Sequence, residues 1–266
     1  MYKDFYGLRE KPFNKTPDPR FLYLSKAHEE AFARLQYVVE EKEIILFTGE
    51  IGCGKTTLTR ALMDSLNESY RVILILNPRL TANQFLRTIA RRLEVNPPFN
   101  HKDDLLDAIY QKVYEDYENG ITPVIIIDEA QLIPKKETFE EIRLLTNFQL
   151  DNTNLISLIF VAQPDILRRL KHKVYAPLRQ RIGIFYHLPP LSEEEVSEYI
   201  KFRLKISGRE APLFTDKAIA LIHRHSMGIP RIINSIATSA LLDAFSKDSQ
   251  LIDNTNVMDA VEELGL

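Results

Sequence analysis

The sequence is poor in cysteine, in glycine and in long apolar runs, and it carries no large excess of either charge. One cysteine, Cys53, in 266 residues excludes an internal disulfide framework and a cysteine-based zinc site. Apolar runs such as those at residues 44–47 and 124–127, none longer than five residues, are far shorter than the roughly 20 residues that a membrane helix needs. The start, MYKDFYGLREKPF, holds no apolar stretch of the signal-peptide kind, so a cytoplasmic, reducing location is expected. Lysine plus arginine (34) against aspartate plus glutamate (37) gives a net charge of −3, which by itself advertises no polyanion-binding surface. What remains is the composition of a folded globular chain: 45% hydrophobic and 27% charged, enough to bury a core and too apolar for wholesale disorder.

Glycine is scarce but not scattered. Of 9 glycines, Gly49, Gly52 and Gly54 fall within six positions, which implies a backbone of unusual shape or one that closely approaches a ligand. They belong to Gly49-Glu50-Ile51-Gly52-Cys53-Gly54-Lys55-Thr56, a glycine followed by four residues and then Gly-Lys-Thr. This is the phosphate-binding loop pattern, and an apolar run enters it while a helical pattern over residues 57–66 leaves it. In such a loop successive N–H groups and the helix N-terminus point at negative charge. Lys55 is expected to reach the β- and γ-phosphates and the Thr56 hydroxyl to ligate Mg²⁺, with the whole loop from Gly49 to Thr57 contacting the nucleotide. Cys53, between two glycines, reads as a small loop residue.

A second motif is Val124-Ile-Ile-Ile-Asp128-Glu129, an apolar strand ending in two acids. In α/β sheets ligands bind where strands emerge at their carboxyl ends. Asp128 is therefore assigned to Mg²⁺ and Glu129 to orienting and deprotonating the attacking water.

Short apolar runs at 43–48, 71–76, 122–128, 155–162 and 182–188 read as strands, and helical patterns separate them. One helical face carries Leu86, Ile89, Ala90 and Leu93, another Leu106, Ile109, Tyr110, Val113 and Tyr117. The alternation predicts a parallel five-stranded sheet with flanking helices over residues 1–190. The opening segment 1–28, with Pro12, Pro17, Pro19 and several aromatics, is expected to pack against this α/β domain. Beyond Pro189-Pro190 only helical signals follow: a capping box from Ser192 to Glu195, a cap at Thr215, a stripe of Ile233, Ile236, Ala237, Ala240, Leu241 and Ala244, and a last helix over 255–263. Residues 191–266 are thus expected to form a small all-helical lid domain. His223 and His225, two apart on one helix, face different directions and do not suit a shared metal.

A strand intervenes between the phosphate loop and Asp128-Glu129, and an acid directly follows the magnesium aspartate. In this the chain resembles the additional-strand P-loop ATPases, and the AAA+ type among them. That resemblance implies three more site residues. Gln163, after the fourth strand, matches a first sensor. Arg181, and less closely Arg179, matches the arginine finger that reaches a neighbouring subunit's γ-phosphate. Arg231, in Gly228-Ile-Pro-Arg231, matches a second sensor carried by the lid. Surface arginines and a helix-starting proline explain the last two positions without any such role.

The resemblance narrows further. Tyr6-Gly7-Leu8, Lys11-Pro12-Phe13, Thr16-Pro17-Asp18-Pro19-Arg20-Phe21-Leu22-Tyr23, Ser25 and His28 look like the opening of the ExeA-like (general secretion pathway protein A) ATPases. So, in order, do Asp128-Glu129-Ala130-Gln131, Leu144-Leu145-Thr146-Asn147-Phe148, Gln163-Pro164, Gln180-Arg181-Ile182, His187-Leu188-Pro189-Pro190-Leu191 and Gly228-Ile-Pro-Arg231. The resemblance implies ATP rather than GTP as substrate, an N-terminal segment that closes over the adenine, and a homo-oligomer, ring or filament. A protein client in a secretion or envelope complex is implied as well, with peripheral attachment to the inner membrane through a partner. Relatives in secretion systems often continue into a membrane helix and a periplasmic domain; ending at Leu266, this chain is expected to be a stand-alone ATPase or a truncated form. Related ATPases regulate transposition by binding DNA. Basic clusters at Arg87-Arg91-Arg92 and Arg168-Arg169-Lys171-Lys173 allow that alternative, although solvated helix faces explain them equally well.

Overall fold

A computed structural model of the protein describes residues 2–14, 18–95, 101–150 and 153–266. Thr16 and Pro17 of the N-terminal signature lie outside the described residues. In chain order the helices and strands are α1 (Tyr2–Phe5), α2 (Lys26–Glu40), β1 (Ile44–Gly49), α3 (Lys55–Ser65), β2 (Tyr70–Ile75), α4 (Ala82–Arg92), α5 (Lys102–Glu118), β3 (Thr122–Ile127), α6 (Lys136–Leu145), β4 (Gln149–Leu150), β5 (Thr153–Asn154), β6 (Ser157–Ala162), α7 (Asp165–Leu170), α8 (Ala176–Arg181), β7 (Ile184–Leu188), α9 (Glu193–Ile206), α10 (Asp216–Ser226), α11 (Pro230–Ser246) and α12 (Asn254–Leu264). They fall into two compact units that interleave in sequence: Glu30–Gly49 with Thr59–Leu188, and Met1–Glu29 with Glu50–Leu58 and Pro189–Leu266.

The first of these units is the expected α/β layer structure. Its sheet runs β2-β3-β6-β1-β7, and every neighbouring pair is parallel. Every residue of β1 and β6 is buried, which is why these strands are apolar without alternation. Edge strand β7 instead alternates, exposing Phe185 and His187. One sheet face packs on Phe85, Leu86 and Ile89 of α4, Leu105, Ile109 and Val113 of α5, and Phe139 and Ile142 of α6. The Ser157 hydroxyl donates to the carbonyls of Val38 and Val39, pinning α2 to the start of β6.

Two expectations here need correction. The buried stripe of α5 is Leu105, Ile109, Val113 and Asp116, while Tyr117 is exposed and Leu106 half-buried. An aspartate takes a core position because Arg71 on β2 bonds it at 2.8 Å, an ion pair that the apolar pattern cannot reveal. The fourth strand begins at Ser157 rather than residue 155, because Leu155 follows a short hairpin of β4 and β5 and its N–H bonds the Phe148 carbonyl.

The second unit has its own core, built from α9 to α12 together with the N-terminal segment. Ser192 and Glu195 form the expected capping box on α9, and the Thr215 side chain accepts from the Ala218 N–H to cap α10. Asp253 caps α12, accepting from Thr255 and Asn256. Tyr6, Leu8 and Phe13 are buried among Val196, Ile200, Ile233, Ala237 and Leu241. The expectation that the opening segment packs against the α/β domain is therefore corrected: Tyr6, Leu8 and Phe13 complete the helical core. Four short helices make a small core by themselves, and three buried side chains enlarge it. Hydrogen bonds fix the segment there: Arg203 Nε donates to the Pro12 carbonyl at 2.7 Å, Arg209 Nη1 to the Tyr6 carbonyl at 2.6 Å, and the Tyr6 hydroxyl to the Ser249 carbonyl at 3.0 Å. Among the described residues no helix is long and apolar enough to cross a membrane.

Candidate nucleotide-binding site

The glycine-rich loop leaves β1 at Gly49 and enters α3 at Lys55, so it joins a buried strand to a helix N-terminus through the chain itself. Gly52 and Gly54 have φ of +88° and +101°, conformations that a side-chain-bearing residue rarely adopts. The Glu50 carbonyl accepts from the Cys53 N–H at 3.3 Å and from Lys55 Nζ at 2.9 Å, folding the lysine back over the turn. Cys53 is buried, and burial pushes its thiol pKa up, which suits a packing residue better than a reactive one.

Two residues from elsewhere in the same unit hold this loop. The Arg231 N–H donates to the Gly52 carbonyl at 3.3 Å, and a Cβ at Gly52 would lie 2.6 Å from Arg231 Cβ. His28 Nε2 lies 3.1 Å from the Cys53 carbonyl, and its Nδ1 lies 2.9 Å from Ser25 Oγ. A carbonyl only accepts, so Nε2 carries the proton and Nδ1 accepts from the serine hydroxyl. Burial lowers the pKa of His28, which keeps the ring neutral. A Cβ at Gly54 would come within 3.2 Å of this ring. Sequence reasoning used His28 only as part of a signature; its signal was the spacing Ser25-x-x-His28, in which the serine also accepts from the His28 N–H at a helix start.

The acidic turn belongs to the α/β unit. The ladder puts the last residues of β1, β6 and β3 at one end of the parallel sheet, with Thr48 opposite Ala162 and Ile127 opposite Phe160. Asp128 is buried, and its N–H continues the β2 ladder to the Ile75 carbonyl. Its Oδ1 accepts from the Glu129 N–H at 2.9 Å. Glu129 is left-handed, with φ 51° and ψ 41°. Glu129 Oε2 accepts from Gln163 Nε2 at 3.2 Å and also from Gln131 Nε2, while Gln131 Oε1 accepts from the Gln163 N–H at 3.0 Å. The structure brings Glu129 and Gln163 together, and adds Gln131, which sequence reasoning left without a role.

The remaining arginines differ in setting. Arg181, at the end of α8, donates through Nη1 to the Thr146 carbonyl at the C-terminus of α6, a place where a cation also meets the helix dipole. Arg179 and Arg231 are exposed. Arg169, one of the basic cluster, is spent on the Ile133 and Pro134 carbonyls and stacks on Phe139 and Tyr175.

Residues 38–170, half of the chain, match a family of AAA domains. The chain belongs to the AAA domain family. It is similar to general secretion pathway protein A of Aeromonas hydrophila, 38% identical over 270 residues that cover 99% of this chain and 48% of the relative. The chain spans about half the length of the curated relatives it matches. Among solved structures, the Aeropyrum pernix ORC2 protein superposes with a TM-score of 0.69 at 19% identity, over 96% of this chain and 71% of that one. The Thermotoga maritima RuvB Holliday junction branch migration motor gives 0.60 at 20% identity, over 91% of this chain and 70% of that one. These two likenesses are of fold: the parallel sheet and helical C-terminal part of an AAA+ P-loop ATPase. The ExeA-like resemblance read from the motifs holds along nearly the whole chain.

Proposed function

We propose that this AAA domain protein is a Mg²⁺-dependent ATPase that hydrolyses ATP at the subunit interfaces of an oligomer. The observation that carries the reading is the glycine-rich loop with left-handed Gly52 and Gly54 directly after buried β1, in a chain whose β3 ends in Asp128-Glu129. In this reading the loop N–H groups and Lys55 bind the phosphates, and Glu129 takes the proton of the attacking water, steadied by Gln163. The donors assigned to Mg²⁺, the Thr56 hydroxyl and Asp128 carboxylate, are hard oxygens of the kind that ion takes, and the ion would neutralise phosphate charge. Residues 191–266 act as the lid that carries Arg231. Arg181 completes a neighbouring subunit's site; a guanidinium has five N–H donors, so one bond to Thr146 does not exhaust it. The 38% identity to general secretion pathway protein A supports work on a secretion-type or envelope complex, at the inner membrane through a partner.

The test is phosphate release measured with oligomer size. Arg181→Ala is expected to lower turnover by about 10³-fold or more while ATP binding persists. Unchanged turnover would remove the interface from the mechanism.

A second reading, an ATP-switched DNA-binding regulator, is favoured by one observation. Residues 69–93 hold five arginines and no acid, and residues 166–192 hold six Lys or Arg and no acid. Arg87 and Arg91 line a cavity of about 390 Å³ with Gln84 and Thr88, side chains suited to phosphate contacts. Binding of duplex DNA that needs ATP and weakens steeply with salt would favour this reading over the first.

A further inference from the structure

We propose that Gln131 is the positioning residue for Glu129, the link that ties the proposed base to the end of β6. This rests on the reading of Glu129 as the base.

A residue with a side chain is strained in the left-handed region where Glu129 lies, so neighbouring contacts must hold it there. Gln131 follows in a single 3-10 turn over Ala130–Leu132 and uses both ends of its amide. Its oxygen accepts the Gln163 N–H, just beyond β6, and its nitrogen donates to Glu129 Oε2. Gln163 then closes the ring by donating its own side-chain amide to the same oxygen. Two donors converging on one oxygen fix the direction of the carboxylate, where a single donor would leave it free to swing. The orientation of the Gln131 amide is settled by its partners, because a backbone N–H demands an acceptor and a carboxylate demands a donor.

The requirement is for glutamine specifically. Asparagine is a methylene shorter. Glutamate keeps the acceptor for the Gln163 N–H, and with it the brace between the strand ends, but loses the donor and sets a second anion beside Glu129. Alanine loses both bonds. A purely structural brace would therefore tolerate glutamate, and a positioning residue would not.

The experiment compares Gln131→Ala, Gln131→Glu and Glu129→Gln in the full chain, with melting temperature, ATP binding and phosphate release followed together. Gln131→Glu is expected to melt near the wild-type temperature and bind ATP within about twofold, yet to lose turnover by about 10- to 100-fold, the scale of a misplaced catalytic group. Gln131→Ala should lose as much. Combined with Gln163→Ala, it should lose less than the product of the two single losses, because both act through one oxygen. Wild-type turnover in Gln131→Glu, faster turnover in either variant, or independent losses in the double variant would overturn the proposal. If Glu129→Gln is inactive while the Gln131 variants are normal, only the positioning role fails. If Glu129→Gln hydrolyses ATP normally, the base assignment itself fails and this proposal falls with it.

Discussion

The phosphate loop and the acidic turn reach unusual backbone shapes by opposite means. In the loop the left-handed positions are glycines, which adopt them without steric cost, and the holding contacts come from outside, the Arg231 N–H and the His28 ring. In the turn the left-handed residue is Glu129, and the amides of Gln131 and Gln163 hold it through its own functional carboxylate. The difference teaches where each shape is encoded. The loop's shape is written in its own residue types; the turn's shape is written in side chains at positions 131 and 163. A loop of this kind should lose stability with any added side chain, whereas in a turn of this kind the loss of a hydrogen-bonding group should tell on turnover more than on stability.

The largest expected effect is at Lys55. Its replacement by alanine should weaken ATP binding at least 100-fold in a direct titration, since it removes the loop's one cation; affinity within a few-fold of wild type would place the phosphates elsewhere. Gly52→Ala comes next. Its Cβ would meet Arg231 Cβ at 2.6 Å in a left-handed conformation, so we expect a loss of roughly 2 kcal/mol or more in denaturant unfolding, together with weaker ATP binding. A variant as stable as wild type would show that the loop is not held against Arg231.

The matching change in the turn should cost far less. Glu129→Gly relieves the left-handed strain while adding chain entropy and losing two hydrogen bonds, so stability should stay within about 1 kcal/mol of wild type although hydrolysis is lost. A loss as large as that of Gly52→Ala would erase the contrast between the two regions.

The smallest effect concerns pH. Burial depresses the His28 pKa in the folded chain, so the unfolded chain binds the extra proton first as pH falls. The stability that depends on neutral His28 is complete above the ordinary histidine range, about pH 6.5, and is lost as pH drops below it toward the folded value. Melting curves from pH 8 to pH 5 should therefore show a steeper acid loss in wild type than in His28→Gln. Equal slopes would mean that the ring does not titrate with folding.

Much of this was legible in the sequence, for reasons that can be traced to particular residues. The core strands were readable because β1, β3 and β6 are buried almost throughout and so each runs apolar for at least four successive residues. The phosphate loop and Asp128-Glu129 were readable because their chemistry requires fixed residue types at fixed spacing. Asp116 was missed because a polar residue is silent in an apolar pattern until its partner Arg71, on another strand, is known. The N-terminal aromatics were assigned to the wrong core because their burial need is visible in sequence while the surface that meets it is not. Gln131 and His28 escaped for a related reason: each acts by hydrogen bonds to residues far along the chain, Gln163 and Cys53, and glutamine and histidine carry no pattern that announces a tether.

The most direct test of the account is to measure ATP binding and phosphate release side by side for wild type and Glu129→Gln. The account predicts that the variant binds ATP as tightly as wild type and hydrolyses it at least about 100-fold more slowly, because the substitution keeps the shape of the turn and removes only the proton acceptor. Unchanged hydrolysis, or an equal loss of binding and turnover, would contradict it.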